Sequence, residues 1–309
     1  MDQTTVASAS GVSAHGRVPA DVRLRQALMA GANPGGGWGY YPGKASRLEP
    51  TCWAMLALGA LPDEAAAPHR EFLARCQQPS GWLVEDPRWP INIAFNALAA
   101  FTWLTRRSLA TEPMRARLLA ALTASKGIQT PQTDSVSQNN QLQGWPWIDA
   151  TFSWVEPTCW GLLALKKARG LGAAGQDAAS RVAEAERLLL DRACTPGGWN
   201  FGNANVLHQD LRPYVPTTAL GLLAMQDRRT EPAVARSLAF LEAHWSDEVS
   251  APALALSLAC LRTYGRSVED VSSRLRDHAD RAQSFGNLHG IALALFALSA
   301  SEPTNVFQI

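Results

Sequence analysis

The stretch that decides the fold occurs twice almost unchanged, as LEPTCWAMLAL at residues 48–58 and as VEPTCWGLLAL at residues 155–165. A looser copy, VPTTALGLLAM, begins at Val215. Still weaker copies begin at Trp89, Ala251 and Leu288. Each copy is rich in Ala and Leu and is apolar nearly all round, which is typical of a buried helix rather than a strand. The sequence therefore predicts six buried helices.

Segments with amphipathic spacing separate these copies, and each predicts a half-exposed outer helix. The outer helices are expected near residues 20–31, 63–77, 111–126, 177–194, 231–245 and 267–283. Twelve helices that alternate in this way predict an all-α fold, a closed α/α toroid in which six hairpins form inner and outer rings, an (α/α)6 barrel. An open solenoid is the alternative. Six hairpins suit a closed ring, and neither end carries a polar capping helix, so closure is favoured.

The connections between the predicted helices are asymmetric. Turns from an inner to the next outer helix are short, as at 61–63, whereas connections from outer to inner helices include the long segments 127–156 and 195–215. Long connections without regular structure tend to bind ligands or form lids. All of them emerge at the end of the ring where the inner helices begin, so this end is the predicted functional face.

Composition limits the functions that this chain can have. In 309 residues, Lys+Arg 28 against Asp+Glu 27 leaves a net charge of +1, which argues against a nucleic-acid partner. The apolar runs at 251–261 and 291–300 are shorter than the ~20 residues of a membrane-spanning helix. No signal peptide is readable at the start, so a cytoplasmic protein is expected. Residues 1–19 predict a flexible tail, and residues 20–309 a single toroid domain.

The sequence contains no recognisable motif for a metal site, a phosphate-binding loop or a hydrolase. The five Cys residues include no CxxC pair, and Cys194, His208 and Asp210 form only a loose group without metal-site spacing. Gly43-Lys44-Ala45 lacks the pattern of a phosphate-binding loop. We therefore expect neither a metal nor a cofactor.

Tryptophan, with 11 residues, outnumbers both Phe (9) and Tyr (4), and its placement is the main functional clue. Most Trp residues lie in Trp-rich loops before the inner helices, several of which also contain glycine. These loops are 35–41, 81–82, 144–147, 152–154 and 197–201. Glycine permits a sharp turn, after which the aromatic ring can stack over a helix N-terminus. Such rings either join neighbouring helices or line a cavity.

At these loops, and at the unit containing Arg70, Phe72, Leu73, Gln77 and Gly81-Trp82, the chain resembles the prenyltransferase/squalene-cyclase repeat family. The resemblance covers residues 20–300 in spacing and repeat form. The resemblance implies the toroid fold. The family includes terpene cyclases, which protonate a polyprene and hold carbocations among aromatic rings. The individual motifs are degenerate: Ala32 and Ala193 stand where the family prefers Gln, and Gln77 has one residue fewer than usual before its Trp.

The family's cyclase acid lies in an Asp-x-Asp-Asp motif at the start of an inner helix, and this motif is absent here. Of the residues in register with it, only Glu49, Glu156 and His289 can exchange a proton. The first and sixth hairpins are neighbours in a closed ring, so Glu49 and His289 can approach each other. Asp149 in the long connection is the fourth catalytic candidate. Both glutamates can instead simply complement helix N-termini, where the dipole lowers the pKa of a carboxyl and burial raises it.

The leading hypothesis is a terpene-cyclase-like protein, of the isomerase or lyase class, that acts by acid-initiated cyclisation or isomerisation on an isoprenoid or similar apolar polyene in an aromatic-lined cavity. The expected substrate-binding residues are Trp38, Tyr40, Trp145, Trp147, Phe152, Trp154, Trp160, Trp199, Phe201 and Tyr214. A homodimer is one way to supply the second wall that paired toroids provide in family triterpene cyclases.

Two alternatives remain open. A non-catalytic ligand-binding or protein-binding scaffold would have side chains filling the ring centre. A carbohydrate-active (α/α)6 enzyme would have paired carboxylates in an open cleft with aromatic platforms. A polyene site needs an enclosed aromatic cavity with one isolated acid.

Overall fold

The computed structural model describes residues 18–299 and 305–309, so the predicted tail at 1–19 lies outside it apart from Val18 and Pro19. Within the described residues twelve α-helices alternate between two layers. The outer helices are α1 (Ala20–Ala30), α3 (Asp63–Cys76), α5 (Glu112–Ala124), α7 (Ala178–Asp191), α9 (Pro232–His244) and α11 (Glu269–Ser284). The inner helices are α2 (Leu48–Leu58), α4 (Ile93–Thr105), α6 (Val155–Gly170), α8 (Val215–Ala224), α10 (Ala251–Thr263) and α12 (Leu288–Ser299). The predicted alternation is confirmed.

The inner helices form a closed ring. Each contacts the next in the order α2, α4, α6, α8, α10 and α12, and α12 contacts α2 in turn. Outer helix α1 packs on α12, and the main-chain N–H of Leu288 donates to the carbonyl of Tyr40 at 2.9 Å, which joins the last hairpin to the first. The closed toroid is therefore confirmed, and the open solenoid is wrong.

Short elements complete the described structure. Single 3₁₀ turns follow α4 (Arg107–Leu109) and α9 (Trp245–Asp247), and a two-stranded hairpin, β1 (Asn205–Val206) and β2 (Gln209–Asp210), lies in the connection to α8. The second inner helix begins at Ile93 rather than at Trp89 as expected. Its start is set by Asn92, whose side-chain oxygen accepts from the N–H of Phe95 at 2.9 Å.

Three buried tryptophans join consecutive helices in the same way. Trp38, Trp145 and Trp199 are all 0% exposed. Each indole N–H donates to a carbonyl at the end of the preceding outer helix, at 2.7–2.8 Å, on Leu28, Leu122 and Leu189 respectively. Each main-chain N–H donates to a threonine in the next inner helix, on Thr51, Thr158 and Thr218 respectively. A large apolar ring thus fills the space between helices without leaving its polar atom unpaired.

Leu83, rather than Trp82, occupies this position in the second hairpin. The N–H of Leu83 donates to Asn96 in α4 at 2.7 Å, and Leu83 is 1% exposed. Trp82 lies one residue earlier, where the first and fourth hairpins have Gly37 and Gly198, and it is only half-buried. This offset explains the short Gln77-to-Trp82 spacing: Trp82 is not the equivalent of Trp38.

In the first, second and fourth hairpins, the glycine two residues before the joining residue lets the connection approach the next outer helix. Gly36 has φ +86°, and a Cβ built there would lie 1.9 Å from the carbonyl oxygen of Pro68 in α3. Adjacent Gly35 has an open environment, with nothing within 4 Å of such a Cβ.

We expect Gly36→Ala to lower the free energy of unfolding by at least ~2 kcal/mol, because alanine is strained at this φ and also clashes with main chain. Gly35→Ala is the matched control, and urea unfolding of both variants checks the difference; equal stabilities would contradict it.

His69 supports the first joining tryptophan only when it is neutral. Its Nδ1 accepts from the N–H of Gly37 at 2.9 Å, its ring stacks on Trp38 at 4.0 Å between centroids, and burial lowers its pKa to about 4. The unfolded chain, with the ordinary pKa of 6.5, then binds more protons between these values, so stability is full above pH 6.5 and is lost as pH falls toward 4. We expect this loss to be on the order of 2–3 kcal/mol and to be absent in His69→Gln. Thermal unfolding of both proteins from pH 7 to 4.5 tests it, and parallel curves would refute it.

Candidate active site

The mouth of the ring, where the inner helices begin, is built by the connections that lead from outer to inner helices. Four of these connections cap the N-terminus of the inner helix that belongs to the preceding hairpin of the ring. The first N–H of α12, α4 and α6 donates to the carbonyls of Tyr40, Trp147 and Phe201 respectively, at 2.8–3.0 Å. The first N–H of α2, on Leu48, donates to the carboxylate of Glu85. Each capping residue lies two positions after the joining residue of its own connection. Because these connections supply acceptors for N–H groups that have no partner within their helix, they also place aromatic and acidic residues at the mouth.

Glu49, His289 and Tyr40 form one cluster at this mouth. Nε2 of His289 lies 3.3 Å from Oε1 of Glu49, and the Tyr40 hydroxyl donates to Oε2 of Glu49 at 2.5 Å. The predicted approach of Glu49 to His289 is therefore confirmed. Burial alone would raise the pKa of Glu49, but the contacts with His289 and Tyr40 outweigh it and lower that pKa, so Glu49 is ionised at neutral pH.

Glu156 has a contrasting environment. Its carboxyl lies in the first turn of α6, and among residues 18–299 and 305–309 no group hydrogen-bonds to it or forms an ion pair with it. Burial, assisted by the negative charge of Glu49, raises the pKa of Glu156 to about 7. A substantial share of Glu156 is therefore protonated at neutral pH.

Glu85 is a third carboxylate at the mouth, and the sequence analysis missed it. It pairs with Nε of Arg47 at 2.6 Å, and the guanidinium of Arg47 lies over the Trp89 ring at 4.1 Å. Burial raises the pKa of Glu85. The spacing in the sequence could have identified Glu85 as a mouth residue, because Glu85 follows Leu83 by two residues as Tyr40 follows Trp38. A cleft of about 250 Å³ with a mixed polar and apolar lining adjoins it, bordered among others by Leu48, Glu85, Trp89 and Phe95.

Asp149, the fourth catalytic candidate, is exposed on the connection before α6. It shares no hydrogen bond or ion pair with Glu49, Glu156 or His289. The structure thus brings Glu49 and His289 together, with Glu156 close enough for the charge of Glu49 to act on it, and does not join Asp149 to them.

The ten aromatic candidates divide into three groups. Trp38, Trp145 and Trp199 do not line the mouth, and that expectation is wrong, because they are the buried joining residues. Trp160 is 4% exposed inside the ring. The other six lie in the connections at the mouth: Tyr40, Trp147, Phe152, Trp154, Phe201 and Tyr214. Phe152 contacts Trp154 at 4.5 Å and Phe201 contacts Tyr214 at 5.0 Å between centroids, with Phe152, Phe201 and Tyr214 40–53% exposed.

The ring axis below the mouth is filled rather than open. Trp53 and Trp160 each lie one turn below Glu49 and Glu156 on their helices, and their rings are 5.7 Å apart edge to face. Phe307, from the segment after α12, completes the packing with Phe101 and Phe296. The enclosed aromatic cavity expected for a polyene is therefore not found at this level of the ring, and the aromatic surface that remains accessible lies at the mouth.

Metal-binding geometry does not occur among the residues that the structure describes, where no three His, Cys, Asp or Glu side chains are grouped as ligands. All five cysteines are free and buried. In the same residues no helix is both long enough and apolar enough to cross a membrane.

Comparison with known proteins places this architecture. No family model and no curated protein sequence matches the chain. Among solved structures, a protein from Actinoplanes aligns with a TM-score of 0.54 at 14% identity over 93% of this chain and 98% of its own. A glycosidase aligns with a TM-score of 0.58 at 12% identity over 90% and 95%. The type II terpene cyclase MstE from Scytonema aligns with a TM-score of 0.53 at 16% identity over 88% and 79%.

The chain has the α/α toroid fold. At these identities the likeness shows the fold alone, and the same fold carries a terpene cyclase and a glycosidase. The function of this toroid has to be argued from the groups at its mouth.

Proposed function

We propose that this toroid is a terpene-cyclase-like enzyme in which Glu156 donates a proton to an isoprenoid or similar apolar polyene at the aromatic mouth. One observation carries the proposal: none of the described residues hydrogen-bonds to the Glu156 carboxyl, whose pKa is raised to about 7, whereas nearby Glu49 is held ionised. Because the pKa of Glu156 is raised and that of Glu49 is lowered, Glu156 can serve as the proton donor and Glu49 as the stabilising anion. Glu49, fixed by His289 and Tyr40, is the stabilising anion and lies where it can attract a carbocation.

The substrate binds across the mouth, because the ring axis below is filled. The exposed faces of Phe152, Phe201 and Tyr214 supply apolar contact, and π-faces stabilise a cation more strongly when water is excluded. A proton donor with a pKa near 7 is a weak acid for an alkene, so the fitting substrate class yields a stabilised tertiary or allylic cation. Product forms when a proton leaves the cation, and the ionised carboxylate of Glu49, held in place by His289 and Tyr40, is the nearby base.

An open mouth is wet, and water quenches carbocations. We therefore propose, as part of the same function, that a second copy of the chain covers this face in a homodimer and supplies the missing wall.

A carbohydrate-active enzyme is the second candidate, favoured by the same split between the two carboxyls. Glycosidases of the two-carboxylate type need one acid that is protonated and one that is ionised, flanking an open cleft. Glu156 and Glu49 meet the charge requirement, and exposed aromatic rings can stack on sugars. A glycosidase is also among the proteins that share the fold.

Turnover in D₂O separates these candidates. The purified chain is incubated with linear polyprenes, prenyl diphosphates and oligosaccharides, and the products are analysed by mass. Acid-initiated cyclisation adds one solvent deuteron to a polyprene and then releases one proton, so the product gains one mass unit over the product formed in H₂O. Cleavage of oligosaccharides alone would replace the first candidate by the second, and no conversion of any substrate would refute both and leave a binding scaffold.

A further inference from the structure

The segment 305–309 lies at the end of the ring opposite to the mouth, where the inner helices finish, and forms neither helix nor strand. Its only fully buried side chain is Phe307, at 0% exposed. The Phe307 ring stacks on Phe101 at 5.3 Å and meets Phe296 edge to face at 5.6 Å, with Trp160 at 6.2 Å and Trp53 at 6.4 Å between centroids. Four aromatic rings from four different inner helices thus surround one phenylalanine.

The polar contacts of this segment with the ring are made mainly to its main chain. Gln226, just after α8, donates from Nε2 to the carbonyl of Phe307 at 2.7 Å and accepts at Oε1 from the N–H of Ile309 at 3.4 Å. Nζ of Lys167 at the end of α6 donates to the carbonyl of Val306 at 2.5 Å. One contact uses a side chain of the segment, from Asn305 to Thr263 at 2.8 Å.

This arrangement has the chemistry of peptide recognition. A single aromatic side chain enters a pocket, while the Gln226 amide binds the main chain at and after it and Lys167 binds the carbonyl before it. We infer that the end of the ring opposite to the mouth is a recognition site for a phenylalanine-bearing peptide segment, filled here by residues 305–309 and able to accept a peptide of the same chemistry from another molecule.

Few contacts hold segment 305–309 in place, so a peptide from another molecule can exchange with it. Burying one Phe side chain contributes about 1.5–3 kcal/mol, and each hydrogen bond adds about 1 kcal/mol net. Val306 and Asn305 are only half-buried, and Gln308 and Ile309 are exposed, so they add little. The inference does not involve the mouth, and it stands or falls separately from the proposed function.

The test uses the full chain carrying Phe307→Ala and the peptide Asn-Val-Phe-Gln-Ile, acetylated and amidated. Trp53 and Trp160 in the pocket report binding by their fluorescence. We expect saturable binding that raises the Tm of the variant, and at least ~10-fold weaker binding of the peptide with Ala in place of Phe, because the ring provides the anchor. Adding Gln226→Ala to the variant should weaken the peptide by roughly five- to tenfold but leave the binding of toluene unchanged, because toluene has no main chain to read.

Two results would overturn the inference. Absence of peptide binding would mean that the pocket recognises no peptide in trans. Equal stabilisation by peptide and toluene, unaffected by Gln226→Ala, would make Phe307 an ordinary core residue. If Phe307→Ala does not fold, the same titrations are made on Phe307→Leu, which retains an apolar side chain, and they are judged by the same two outcomes.

Discussion

Replacing Glu156 by glutamine is expected to lower proton-initiated turnover at pH 7 by at least ~100-fold, because general acid catalysis by a positioned group contributes about 10²–10⁴-fold. The amide keeps the size and polarity of the side chain but has no proton to donate. Since no described group hydrogen-bonds to the Glu156 carboxyl, the substitution leaves no partner unsatisfied, and Tm should stay close to that of wild type. Steady-state kinetics and thermal unfolding of the two proteins make the comparison.

The pH profile of the wild-type enzyme tests the same residue in another way. The donor form of Glu156 prevails below its pKa of about 7, so turnover should be constant at lower pH and fall about tenfold per unit at higher pH. Glu49→Gln removes a negative charge that raises the pKa of Glu156, so the fall should begin at lower pH in that variant. Glu64→Gln, at an exposed position of α3, is the control that should change neither rate nor profile. Full activity of Glu156→Gln would remove this residue as the donor.

Trp199→Ala is expected to cost about 3–5 kcal/mol of the free energy of unfolding, the range for deleting a fully buried aromatic side chain. The ring fills the space between helices against Gly221, where a Cβ would lie 2.6 Å from it, and its N–H satisfies the carbonyl of Leu189. Trp199→Phe keeps most of the ring but orphans that carbonyl, so we expect a smaller loss of about 1–3 kcal/mol.

Trp82 provides the matched control for this prediction, because it also follows a glycine in a connection but is only half-buried. Trp82→Ala should cost clearly less than Trp199→Ala in the same urea titration. Equal losses would show that the joining role belongs to Gly–Trp sequences in general and not to the buried position that Leu83 takes in the second hairpin.

The repeated Ala–Leu helices made the fold predictable. An apolar surface on every side admits only a buried helix, and six such helices with amphipathic partners can bury one another by closing a ring. Closure in turn predicted that residues at the starts of the first and last inner helices meet, as Glu49 and His289 do. These inferences rest on periodicity and topology, which the order of residues encodes directly.

Site details were less predictable, because they depend on which atoms satisfy one another in three dimensions. A Gly–Trp loop looks the same in sequence whether its ring is buried and joins helices, as at Trp38, or is only half-buried, as at Trp82. Glu85 was missed because its role depends on capping a helix N-terminus from a neighbouring hairpin. Phe307 was missed because most of its packing partners, Trp53, Phe101 and Trp160, come from helices far away in the chain.

At neutral pH, a substantial share of Glu156 at the mouth of this toroid is protonated, whereas the nearby Glu49 is ionised. The most direct test of this difference is a ¹³C NMR titration of side-chain carboxyl groups in the glutamate-labelled protein, with the two signals assigned by the Glu156→Gln and Glu49→Gln variants. We expect a midpoint near pH 7 for Glu156 and one below the ordinary 4.5 for Glu49. A midpoint for Glu156 at or below 4.5 would contradict it.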